Sequence, residues 1–437
     1  MHKMIAVLML MVLAAPFASA QESDNPTVAI LRFGISLSDA SLETAVIDTL
    51  LVYEWVTEEE HALLNERQDI EGEKINISWA DASYDLTNVS FIVDNALDRG
   101  ADLLLTLSTP VTQIAVNTTL DQDEPTPVLF SAVYSPYQAG LADAPCIKHA
   151  HVTGSEAVPP YEDAFQIFQL LNPALNRFGL IYSSNDAAGI YGAEQIAAIG
   201  ESRGLKIESA AVTSVSDLRS ATQGLANDGV EAIVLPFDYT AAVGLPIIVT
   251  VATENQIPVF HPHPGSVLAG ATVGAGFSNF YTQGISTGLR LAAYLNGELD
   301  FETTAIDSLS GLSVGINLDV ANDLGLEVPP ELQEMAEMVV ENGASAMSPL
   351  GLLRLLDSMG ATDEIKQMAA AYLQNVDVSA MASEPGAQQQ AAAMINQMLI
   401  AGRQSPENLA ADREYLDSLQ CSDEMIAEQQ AALDDGS

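Results

Sequence analysis

The chain has 437 residues, with 59 Asp and Glu against 15 Lys and Arg, giving a formal net charge of −44. Such a field argues against nucleic acid and anionic membrane surfaces as partners. A hydrophobic share of 48%, interleaved with the acids, argues against a disordered acidic chain and leaves a folded protein with an acidic surface of the kind suited to high salt. The chain opens MHKMIAVLMLMVLAAPFASA, a basic start, a short apolar run and small residues before Gln21. This reads as a secretory signal peptide over 1–20. Its apolar run is too short for a lasting membrane span and no other segment suits one, so the mature protein is placed in the periplasm with no direct membrane insertion.

Thr27 to Phe33 reads as a strand broken by Gly34, Ala40 to Trp55 as a helix, Ile75 to Trp79 as a second strand, and Leu86 to Arg99 as a helix closed by Gly100. The stretch Asp102 to Asn117, DLLLTLSTPVTQIAVN, is the centre of the pattern. A buried-strand run ends at Ser108 and Thr109, and Pro110 starts a helix with Thr109 as its cap. Free backbone N–H groups at such a corner suit an anion, and open parallel sheets bind ligands beyond their carboxyl ends. An ordinary strand-to-helix turn is the other reading. Pro127 to Ser131 makes a fourth strand.

The rhythm restarts near Val152. Helices are predicted over Tyr161 to Leu171, Gly189 to Arg203 and Ser216 to Asn227, and strands over Phe178 to Ser183, Lys206 to Val212 and Glu231 to Leu235. After the turn Pro236 to Thr240 an apolar helix runs to Asn255, its regular part starting at Pro246. Strands at Pro258 to Phe260, Thr272 to Phe277 and Ser313 to Leu318 enclose a helix over Tyr281 to Leu295. Strict alternation of strand and helix predicts an α/β chain with parallel sheets covered on both faces, divided into two lobes. From about Pro330 the chain turns rich in Ala, Met, Gln and Glu, with no strand pattern and a low-complexity run at Gln388 to Ala393. Cys146 and Cys421 are the only cysteines; they form one disulfide tying the tail to the body, or stay as two free thiols.

In their order and spacing, LLLTLSTPVTQIAVN, PVLFSAVYSP, HVTG at 151–154, SVSDLRSATQGL at 214–225, VLPFDYT at 234–240, PGSV at 264–267, GFSNFYTQGISTG at 276–288 and INLDVANDLGLEVP at 316–329 resemble one family. It is that of the substrate-binding proteins of ABC importers, specifically the group with tryptophan- and tyrosine-binding members. The resemblance covers about Thr27 to Pro330. It implies a type I periplasmic-binding fold: two Rossmann-like lobes joined by three crossovers and closing on a ligand. The expected division is lobe 1 over 27–137 plus 264–296, lobe 2 over 138–263 plus 297–330, and a helical extension over 331–437.

In such a cleft an amino acid needs donors for its carboxylate, offered by Ser108 and Thr109, and an acceptor for its ammonium. Asp238 is the candidate acceptor; capping its own helix is the other role open to it. Ser131 and Tyr134 end a neighbouring strand, where Tyr134 and Ser135 replace the family's smaller polar residue and acid. Phe33, Tyr182, Tyr191, Phe237 and Tyr239 are candidate aromatic walls or plain core packing. Ser184 and Asn185 are candidate polar contacts, with Phe277 and Tyr281 behind them. His149-x-His151 and His261-x-His263 fall at two expected crossovers. They read as hinge residues, with His261 or His263 touching the ligand, or as a zinc site completed by Asp300 or Glu302. No phosphate loop, dinucleotide fingerprint or nucleophile elbow is present, so no enzyme and no cofactor are expected. The reading is a periplasmic receptor that closes on a small organic solute, an amino acid and by family an aromatic one, and delivers it to an ABC permease in the inner membrane. A ligand sensor for a membrane signalling receptor, an interaction protein working through its helical tail, and a zinc-binding protein are the alternatives.

Overall fold

The computed structural model describes residues 25–34, 37–277, 279–348, 351, 353–354, 356, 366–367 and 400–435. The expected signal peptide and the Gln388 to Ala393 run lie outside the described residues. Two large sheets carry the fold. In the first, the spatial order is Asp307–Ser310, Val152–Val158, Val128–Val133, Leu103–Leu107, Thr27–Arg32, Asn76–Asp81 and Ile70–Glu71. All neighbours are parallel except the last, a two-residue antiparallel edge. Leu103–Leu107 and Val128–Val133 are buried at every position, as strands with helices on both faces must be.

The second sheet runs Lys206–Val212, Arg177–Ser183, Ala232–Val234, Val259–His261, Val273–Gly276, Ser313–Asn317, Met338–Glu341 and Ala344–Met347. Sheet membership differs from the expected boundaries at 137/138, 263/264 and 296/297, the last because Asp307–Ser310 pairs with Val152–Val158 in the first sheet. Val152–Val158 pairs with Val128–Val133 in the first sheet, and Val273–Gly276 pairs with Val259–His261 in the second. The chain therefore changes lobe after Val158, after Gly276 and after Ser310, which keeps three crossovers. Helix Phe280–Leu295 returns to the first lobe and packs on helix Leu37–Val52. The regular helix at Pro246 is Leu245–Glu254, with the proline in its first turn where no N–H is missed.

The tail corrects the expectation of helices alone. Met338–Glu341 and Ala344–Met347 form a hairpin on the second sheet, turning through Asn342 and Gly343 at φ 54° and 73°. That is the left-handed pair an Asn-Gly two-residue turn supplies. Helix Pro406–Ser418 then lies on the first lobe, where Tyr415 Oη meets Asp307 at 2.5 Å and Ser286 at 2.6 Å, and Arg403 donates to Thr49 at 2.8 Å. Cys146 and Cys421 are bonded, with Cα atoms 5.8 Å apart, so of the two outcomes open for the thiols the disulfide is the one present. Among the described residues no helix is long and apolar enough to cross a membrane.

Candidate functional site

The carboxyl ends of both sheets face one another across the gap between the lobes. Each strand end delivers a side chain there because the strand stops and the following turn must leave the sheet. From the first lobe come Phe33 after Thr27–Arg32, Tyr84 after Asn76–Asp81, and Tyr134 after Val128–Val133. From the second come Phe237, Asp238 and Tyr239 after Ala232–Val234, and His261 at the end of Val259–His261. The rings meet: Tyr134 stacks on Phe237 with centroids 4.4 Å apart, and Tyr239 lies edge-on to Phe33 at 5.4 Å and tilted to Tyr84 at 6.1 Å.

This aromatic row divides the cleft into two cavities. The smaller, 310 Å³, is walled by Tyr134, Phe237, Asp238, Tyr239, His261 and His263, together with Tyr84 and Ser266. The larger, 530 Å³, is walled by Phe33, Asn185 and Tyr239, together with Tyr84, Asp85, Asp186 and Pro110. Among the described residues neither wall holds a lysine or arginine. A solute with a cationic group fits such a wall better than a net anion.

Asp238 takes the capping role that its sequence left open and also stands on a cavity wall. It caps helix Tyr239–Val243 through Ala241 N–H at 2.8 Å, accepts from Ser183 N–H, and still lines the smaller cavity. Asp186 caps the neighbouring helix Ala187–Arg203. Burial, with the Asp238 charge beside it, raises the Asp186 carboxyl to about 7. Burial raises Asp238 as well, against backbone donors that lower it. Gly189 is required at its position, since a Cβ there would overlap the Asp238 carboxylate.

Ser108 and Thr109 are placed differently from the expectation. Both are buried beneath the cleft, and only Pro110 of that corner reaches a cavity wall. The Ser108 backbone sits at φ 92°, ψ 154°, a region a serine adopts only under strain, and neither hydroxyl has a partner among the described residues. Ser131 is fully buried and accepts from Thr287 at 2.9 Å. Ser184 donates to the Val212 carbonyl, Tyr191 packs on the core, and Phe277 is fully buried edge-on to Phe280. These four do not line either cavity.

The histidine pairs are not neighbours. His149 and His151 precede Val152–Val158, at the amino end of the first sheet, whereas His261 ends a second-sheet strand at its carboxyl end. His151 instead pairs with Thr119 at 3.0 Å. The four imidazoles expected for zinc are therefore not brought together, and among the described residues no group of three or more His, Cys, Asp or Glu could hold a metal. Sequence reasoning missed Tyr84, Asp186 and Ser266 on the walls. The rule that ligands sit beyond strand ends, applied to Asn76–Asp81 and Arg177–Ser183, would have found the first two.

The family model described as ABC transporter substrate binding protein matches residues 61–340. A curated relative, the tyrosine-binding protein of Clostridioides difficile (strain R20291), is 24% identical over 245 residues, which are 56% of this chain and 65% of that protein. The chain thus spans just under two thirds of that relative. Among solved structures, the ABC domain from Streptococcus pneumoniae in complex with L-Trp superposes with a TM-score of 0.64 at 23% identity, covering 72% of this chain and all of that one. A conserved domain protein from Vibrio cholerae superposes at 0.62 and 22%, with the same coverage. A ligand-free, open substrate-binding protein from Clostridium difficile superposes at 0.52 and 22%, over 72% of this chain and 99% of that one. These likenesses share the two-lobed type I periplasmic-binding fold. With the model match spanning more than half of its length, the chain belongs to the family of ABC transporter substrate-binding proteins.

Proposed function

We propose that the protein is the periplasmic receptor of an ABC importer, closing its lobes on a small flat organic solute, with an aromatic amino acid as the first candidate. The observation that carries this reading is the row of rings contributed by both lobes beside Asp238. A flat ligand that enters between Tyr134 and Phe237 gains stacking from both lobes only when they close, so binding and closure are coupled. Asp238 then accepts from the solute's ammonium. The permease distinguishes the liganded closed form because its contact surface spans two lobes whose relation the ligand sets. The signal-peptide pattern and the disulfide support an oxidising, extracytoplasmic setting.

The test is mass-spectrometric identification of small molecules released on denaturing the purified protein, followed by calorimetric titration with L-tryptophan and L-tyrosine. One aromatic amino acid per chain is the expected result. Release of a different solute, with no heat from either amino acid, would overturn the ligand while leaving the family intact.

A further inference from the structure

His261 ends its strand with the imidazole 5% exposed on the wall of the smaller cavity. Its Nδ1 accepts the backbone N–H of His263 at 3.1 Å, and His263 Nδ1 in turn accepts that of Gly265 at 3.0 Å. An imidazole whose Nδ1 accepts carries its proton on Nε2, so the turn locks His261 as a neutral Nε2–H donor. Burial holds its pKa down at about 3, which keeps it neutral. A histidine with a purely structural role pairs its second nitrogen as well. Here Nε2 is buried with no partner among the described residues, and the hydroxyl of Ser266, on the same wall and 7% exposed, has none either.

Two buried donors without a partner among the described residues, on side chains that line a cavity, call for an acceptor that the protein does not itself supply. We propose that His261 Nε2–H, assisted by the Ser266 hydroxyl, receives a carboxylate oxygen of the solute, so that the second lobe reads the acidic end of the ligand. The assignment rests on the interlobe cavity being the solute site. It pairs a donor end at His261 and Ser266 with an acceptor end at Asp238, which are the two complements of a zwitterionic amino acid head group. Both ends lie on one lobe, leaving Tyr84 and Tyr134 of the other to close over the flat part.

The experiment compares L-tryptophan with tryptamine, which lacks the carboxylate, by calorimetry on wild type, His261→Phe and Ser266→Ala. Loss of a hydrogen bond to a charged group predicts about 10- to 100-fold weaker L-tryptophan binding by His261→Phe, with tryptamine changed by less than about 3-fold. Ser266→Ala shows the same selectivity with a smaller loss, and it carries the test should His261→Phe fail to fold. Equal losses for both compounds, or none, overturn the assignment alone. The same comparison is made with L-tyrosine and tyramine, and a wild type that binds none of the four compounds overturns the aromatic-ligand reading and this assignment with it.

Discussion

Cutting the Cys146–Cys421 bond is the perturbation whose size the structure sets most directly. The two residues are 275 apart, so the crosslink removes a very long loop from the unfolded ensemble. On the chain-entropy model a loop of that length contributes about 5–6 kcal/mol, while native disulfides removed from small domains cost about 2–5 kcal/mol. Once the bond is gone the tail is held by polar contacts, among them Tyr415 to Asp307 and Ser286, Arg403 to Thr49, and Gln429 to the Cys146 N–H at 2.8 Å, by backbone bonds at Leu419 and Cys421, and by the packing of Leu416 and Leu419. The neutral bonds contribute about 0.5–1.5 kcal/mol each in net terms and those to a charged group about 1.5–3 kcal/mol, small against the cooperative core of the lobes, so the tail opens locally before the lobes unfold. Both tryptophans, Trp55 and Trp79, lie in the first lobe, and their fluorescence follows that lobe through a urea titration. Reduction, or the Cys146→Ser/Cys421→Ser double variant, is expected to lower the unfolding midpoint and to expose residues 400–435 to protease while the lobes stay folded. Coincident midpoints together with an unchanged digestion pattern would refute the reasoning.

The cleft sets three further outcomes. Burial and the neighbouring Asp238 charge raise the Asp186 carboxyl to about 7, against an unfolded value near 3.8, so its contribution is full below pH about 4 and is lost as pH rises through 7. Asp186→Asn keeps the helix cap, and its melting temperature should fall less than wild type's between pH 5.5 and 8.5; parallel curves would exclude the effect. Replacing the strained Ser108 by Gly should stabilise the fold by about 1 kcal/mol, since the serine makes no cap hydrogen bond, and an unchanged or lower melting temperature would contradict the strain. A Cβ at Gly34 would overlap the Tyr84 ring, so Gly34→Ala should weaken solute binding by displacing an aromatic wall; affinity equal to wild type by titration would show that Tyr84 does not touch the solute.

The alternation of strand and helix and the break at Gly34 were legible in the chain because each depends on local backbone chemistry, whereas the cap of helix Thr109–Leu120 falls on Ser108 and not on the expected Thr109. Asp238 could be placed at a strand end in the same way. The Asn342-Gly343 turn was equally local, and only the surrounding helical composition obscured it. Sheet membership was another matter. Val152–Val158 and Val273–Gly276 each have neighbours in sequence on both sides of a crossover, and only pairing across space assigns them to a lobe. The separation of the histidine pairs comes from that pairing, because His151 precedes its strand while His261 ends one. The ring contacts across the cleft and the bond between Cys146 and Cys421 join residues far apart in the chain. Composition and periodicity act over a few turns of backbone, so contacts of that range exist only once the two lobes have packed.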